Sequence, residues 1–166
     1  WPIPVDQALH PLRRRGEALP AGDRKLLAHG QGRSYGDSCL NDGGRLLLTG
    51  DLDHFLHFDA EAGVITCEAG VTLGEVIEVA LPRGWFLPVT PGTQFATVGG
   101  ALANDVHGKN HHRAGSFGDH VLAFELLRSD AAGADRRGCG PGRAGRRPVH
   151  PGPVAHRGGA RAGVRR

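Results

Sequence analysis

The sequence has no methionine, one tyrosine and three cysteines among its 166 residues. Without an initiator methionine, it is expected to begin inside a longer product. Cys39, Cys67 and Cys139 are widely spaced and odd in number. No C-x-x-C pair is present, so neither a zinc site nor a disulfide framework is indicated, and free thiols fit a reducing compartment. No apolar run approaches the roughly 18 residues of a membrane span. The opening Trp1-Pro2-Ile3-Pro4 has no signal-peptide pattern. These absences do not fix the compartment; the expectation is a cytoplasmic protein or one peripheral to the cell membrane.

Acidic residues are scarce in one place only. Residues 131–166 hold nine Arg, no Lys and one acid, Asp135, a net charge of 9 − 1 = +8. Residues 1–130 hold 11 Lys/Arg and 16 Asp/Glu, a net charge of 11 − 16 = −5. The basic balance therefore belongs to the tail and does not make the body a nucleic-acid binder. The tail also lacks Leu, Ile, Phe, Tyr and Trp, and 29 of its 36 residues are Gly, Arg, Ala or Pro. Such a segment buries too little apolar area to offset its ordering entropy, so disorder is expected. Gly, Ala, Arg and Pro are the residues of G/C-rich codons. The abrupt change after Ser129-Asp130 therefore reads as an out-of-frame segment. The rival is a genuine basic tail holding nucleic acid non-specifically, since it has no interleaved aromatics.

Glycine is plentiful, and it clusters. One stretch is Gly30-Gln31-Gly32-Arg33-Ser34-Tyr35-Gly36-Asp37. The other runs from Pro91-Gly92-Thr93 through Val98-Gly99-Gly100 to His107-Gly108-Lys109. Glycine permits positive φ, so successive amides can converge into an anion-binding nest. Two such stretches about 60 residues apart suit an extended phosphorylated cofactor. Arg33 adds a fixed cation, Ser34 a hydroxyl and Tyr35 a stacking ring. Taken alone, the first stretch reads equally well as a tight turn. It is not the Rossmann fingerprint, because the spacing is G-x-G-x-x-x-G and the following residues are turn-rich.

Around these stretches the pattern predicts strands at 24–29, 45–49, 54–59, 64–69, 85–89 and 121–127. Residues 54–69 form a hairpin turning at 60–63. Thr72-Leu73-Gly74-Glu75 is a capping box. The helix it opens carries Leu73, Val76, Ile77, Ala80 and Leu81 on one face and stops at Pro82. Residues 1–23 read as loop with at most one weak helix. Thr97 to Asn104 reads as a Gly-Gly turn into a small-residue helix whose first amides would favour a pyrophosphate. His107, His111, His112 and His120 lie near Asp105 and Asp119, but in glycine-broken loop and without H-E-x-x-H spacing, so no metal site is expected.

Taken in order, these motifs resemble the FAD-binding domain of the vanillyl-alcohol-oxidase type. The run His107-Gly108-Lys109-Asn110-His111-His112, followed by Ala114-Gly115-Ser116-Phe117-Gly118, is similar to the decaprenylphosphoryl-ribose 2-oxidase branch. The resemblance covers residues 24–130, leaving 1–23 before the domain and 131–166 after it. It implies an α+β, PCMH-type fold of two subdomains with FAD between them, here incomplete. By position, Ala28, His29, Gly30, Gln31, Gly32, Arg33, Ser34, Tyr35, Gly36, Asp37 and Ser38 would wrap the diphosphate. Gly92, Thr97, Val98, Gly99, Gly100, Asn104, Asp105, Val106 and His107 would line the rest of the cofactor. His107 and Lys109 would face the substrate as candidate catalytic groups. The implied reaction is flavin-dependent oxidation of a CH–OH group on a sugar or alcohol, a lipid-linked sugar in this branch. Many relatives tether FAD through a first-loop histidine and some add a cysteine in the Gly-Gly helix, while those most like this sequence bind it non-covalently. Arg33 and Asn104 hold those positions here, so the FAD is expected to be non-covalent. The family pattern continues past residue 130 into a substrate domain that this sequence does not follow, so no turnover is expected of the fragment. The competing reading is a cofactor-free binding module with a basic tail.

Overall fold

The computed structural model describes residues 3–128 and the backbone of two short strands beyond them. Three strands, β1 (Ala8–Pro11), β2 (Leu26–His29) and β3 (Arg45–Leu48), form a parallel sheet in the order β1-β3-β2. Leu46 and Leu47 make β3 the buried centre. The sequence pattern predicts loop where β1 stands. Pro11 and the breakers after it mask a four-residue edge strand, a place where proline costs no shared ladder bond. Its register pairs Leu9 with Leu46.

Residues 30–44 link β2 to β3 without a helix. Asn41 pins the base of this connection. Its side-chain amide donates to Lys25 O at 2.8 Å and Arg45 O at 3.1 Å, and its backbone N–H donates to Gln7 Oε1 at 2.8 Å. The loop is therefore fixed at its foot and exposed along residues 31–38.

Strands β4 (Phe55–Asp59) and β5 (Val64–Cys67) form the expected hairpin, with a register shift between Phe55 and His57. Helix α1 (Leu73–Ala80) follows. Both halves of its capping box are made: Glu75 N donates to Thr72 Oγ1, and Thr72 N to Glu75 Oε2 at 2.7 Å. Leu73, Val76 and Ala80 are buried, while Leu81 is exposed. A single 3-10 turn, Leu81–Arg83, carries Pro82 before Gly84 reverses the chain.

Residues 85–89 make no strand, contrary to the expectation from Trp85-Phe86-Leu87. Trp85 instead docks on the hairpin turn, its indole N–H donating to Ala60 O at 2.8 Å. Side-chain anchoring and Pro88 replace a backbone ladder. Helix α2 (Val98–Ala103), the short α3 (His111–Ala114) and the 3-10 turn Phe117–His120 precede β6 (Ala123–Leu127). One apolar cluster unites Ile65, Val71, Leu73, Val76, Val89, Val98, Ala101, Phe117 and Val121.

The sequence pattern predicts no partner for β6. The backbone of β7 (Ala134–Gly138) nevertheless pairs antiparallel with it, and β8 (Val154–Ala155) pairs with β5. A backbone ladder needs only peptide donors and acceptors, so apolar poverty does not forbid it. The other tail residues, where disorder is expected, lie outside the described residues.

Candidate cofactor site

Strand β2 delivers the first glycine loop to the N-terminus of α2. A Cβ built at Gly30 would stand 2.7 Å from Thr97 Oγ1 and 3.0 Å from Thr97 Cγ2. Only glycine allows this approach. Thr97 is itself buried and cannot move aside, because its Oγ1 caps α2 by accepting from Gly100 N at 3.1 Å. Above this contact, Arg33 lies over the Phe95 ring, 5.2 Å from its centroid. The two glycine stretches therefore meet at one seam.

Gly32 and Gly36 take φ of 58° and 62°. The amides of Gln31 through Gly36 donate to no protein acceptor among the described residues. Ser38 Oγ donates to Tyr35 O at 2.8 Å, which holds the far end of the loop, and the Tyr35 side chain is 98% exposed. Ala28 is exposed and His29 half-buried. The His29 carbonyl accepts from Thr49 N at 3.0 Å and Thr49 Oγ1 at 3.1 Å. Open amides on a fixed base are the donor set that a diphosphate requires.

Helix α2 does not offer what its sequence suggested. Val98 N donates to Val71 O and Gly99 N to Ala69 O, both at 2.8 Å, and Gly100 N goes to Thr97 Oγ1. The amides expected to meet an anion dock the helix onto residues 69–71 instead. What α2 brings to the seam is close packing, through Thr97 and the small side chains behind it. The amides left without an acceptor among the described residues are those of the first loop.

The third segment is held by α2 and by the turn at 116–119. Asn104 Nδ2 donates to Gly100 O at 2.8 Å. Asp105 has a φ of 43°, the only positive φ outside glycine among the described residues, and its Oδ1 accepts from Gly118 N at 2.8 Å. Val106 N donates to Ala101 O at 3.0 Å, and His107 bridges to Ser116. The His107 and His111 rings stand edge to face at 5.2 Å. Lys109 and Gly92 are exposed.

Some relevant groups lie outside the sequence-derived set. Phe95 is one: nothing in a lone Phe between Gln94 and Ala96 marks it as a partner for Arg33. Asp53, His54 and Glu68 are others, their ligand atoms within 4.8 Å of one another. Glu68 Oε2 is already taken by His54 N at 3.1 Å and His54 Nδ1 at 2.9 Å, contacts that close the mouth of the hairpin. Burial, with the Glu68 charge second, pushes the Cys67 thiol up to about 12, so it is no nucleophile. An apolar hollow lined by Phe58, Ile65, Val76, Trp85, Leu87 and Phe117 includes none of the glycine-loop residues. His120 also lines it, but its Nε2 is engaged with Ala114 O at 2.6 Å, and the Trp85 indole N–H is given to Ala60 O.

Residues 17–132 match the FAD binding domain family. The chain belongs to this family. Its mixed helix-and-strand architecture is that of the PCMH-type, vanillyl-alcohol-oxidase-like flavin oxidoreductases. Over 116 residues the domain is 45% identical to decaprenylphosphoryl-beta-D-ribose oxidase of Mycolicibacterium smegmatis, covering 70% of this chain and 25% of that protein. It is 36% identical over 75 residues to a D-lactate dehydrogenase of Archaeoglobus fulgidus, covering 45% of this chain and 17% of that one. Among solved structures it superposes on aclacinomycin oxidoreductase with a TM-score of 0.54 at 22% identity, covering 69% of this chain and 23% of the other. The chain thus spans about a quarter or less of the length of these relatives. It is an FAD-binding domain, and FAD is its cofactor.

Proposed function

We propose that this FAD-binding domain serves a flavin-dependent oxidation of a CH–OH group on a lipid-linked sugar, like that of decaprenylphosphoryl-ribose oxidases. The contact of Gly30 with Thr97 carries the reading. It sets the open amides of residues 31–36 beside the second glycine stretch, so one diphosphate-bearing ligand meets both. The loop amides bind the diphosphate. Gly92, Asn104, Asp105 and Val106 line the continuation of the site, and His107 and Lys109 face the substrate. When bound, FAD supplies a two-electron acceptor, and the protein's part is to orient it. Binding is non-covalent, because Arg33 and Asn104 stand where the tethered relatives of this family place their linking residues. The share of the relatives that this chain spans makes binding the proper assay for it, ahead of turnover. Residues 131–166 are an out-of-frame continuation, which re-sequencing of the gene checks: the alternative frame must encode alternating apolar, strand-forming residues.

Fluorescence titration of the purified full chain tests the reading. Saturable quenching with FAD, competition by ADP and much weaker binding of riboflavin, which lacks the diphosphate, are expected. A chain with native circular dichroism that binds FAD no better than riboflavin would overturn it.

A further inference from the structure

Phe95 is a large apolar side chain left 52% exposed beside the polar first glycine loop. Its backbone is held firmly. Gln94 O accepts from Gly74 N at 2.9 Å, and Ala96 O accepts from Leu73 N at 2.9 Å. Phe95 N donates to Thr93 Oγ1 at 3.2 Å. The ring is thus mounted on the first turn of α1. Arg33 is its opposite in every respect. It sits in the middle of a loop whose neighbouring amides have no acceptor among the described residues, with positive-φ glycines at 32 and 36. The guanidinium over the Phe95 ring, 5.2 Å from its centroid, ties the tip of that loop to this firmly held segment.

We propose that Phe95 is a positioning residue for FAD binding. By stacking on Arg33 it holds the first glycine loop in the conformation whose amides are open. The proposal rests on the FAD reading above. The free loop otherwise spreads over many conformations, and binding must then pay for ordering it. An exposed cation–π contact shifts such an equilibrium by roughly two- to fivefold. Phe95 acts through Arg33, so the two effects are not additive.

Two measurements on the full chain test this. The first needs no ligand. Trypsin cleaves after Arg33, and the stack shields that bond. Phe95→Leu is expected to raise the cleavage rate there roughly two- to fivefold. Phe95→Tyr, which keeps the ring, leaves the rate unchanged, and cleavage at the exposed Arg13–Arg15 run serves as the internal reference. The second is FAD affinity by fluorescence. Phe95→Leu weakens it by a similar factor, Phe95→Tyr restores it, and Phe95→Leu adds nothing to Arg33→Gln. Unchanged cleavage at Arg33 in Phe95→Leu overturns the proposal, as do additive losses of affinity. If the parent chain binds no FAD at all, the functional reading falls, while the cleavage rates still decide whether Phe95 positions Arg33.

Discussion

Gly30→Ala tests the seam most sharply. The new methyl would lie 2.7 Å from Thr97 Oγ1 and 3.0 Å from Cγ2, well inside van der Waals contact. Thr97 cannot rotate away without giving up the cap on Gly100 N. Overpacking of this kind costs roughly 1–3 kcal/mol. For a chain of this size that is a Tm lower by about 2–4 °C per kcal/mol. Thr97→Ala alone loses the cap, about 1 kcal/mol. It also removes both clashing atoms and leaves only Thr97 Cβ, 3.5 Å from the new methyl and in ordinary contact. The double variant Gly30→Ala/Thr97→Ala should therefore be little worse than Thr97→Ala, a favourable coupling of about 1–2 kcal/mol. Thr97→Ser keeps Oγ1 and should give no such relief. Urea denaturation followed by circular dichroism supplies the four stabilities of the cycle, and FAD titration of the same proteins supplies the affinities. A silent Gly30→Ala, or strictly additive losses, would mean the two glycine stretches do not touch.

Other expectations concern single groups. Cys67, with its thiol pushed up to about 12 by burial, should resist iodoacetamide at pH 8 until the chain is unfolded; mass spectrometry of the labelled peptides reads this directly. Asp105→Asn should be nearly neutral, because Asn tolerates the left-handed backbone and still accepts from Gly118 N. Asp105→Ala keeps the strain and loses the acceptor, and should cost about 1–3 kcal/mol in urea melts. Hydrogen bonds from the Thr72 side chain and backbone hold the Glu75 carboxyl below its ordinary 4.5. Its contribution to stability is whole above that value and disappears as pH falls through the lowered one. Thr72→Ala, costing about 1 kcal/mol at neutral pH, should therefore flatten the stability profile on the acid side of pH 4.5.

Features governed by neighbouring residues were legible in the sequence. The capping box of α1, the hairpin turn at 60–63 and the burial of Leu73, Val76 and Ala80 are local affairs, decided by i, i+3 and i+4 relations. The first loop was legible because positive φ demands glycine. Features decided by distant partners were not. Strand β1 forms because β3 offers an edge to pair with, in spite of Pro11. Residues 85–89 have strand-forming side chains, yet Trp85 finds Ala60 O and no ladder forms. The amides of α2 looked free because a helix start usually has them so, and only the fold shows Val71 O and Ala69 O already in place. Phe95 gained its role from Arg33, 62 positions away.

The central claim is that the open amides of residues 31–36 hold the diphosphate and those of α2 do not. An amide-resolved NMR titration of the isotope-labelled chain with ADP addresses it most directly. The largest shifts should fall on Gln31 through Gly36, with Val98, Gly99 and Gly100 moving much less. A well-dispersed spectrum in which the α2 amides shift and the first loop stays still would contradict it.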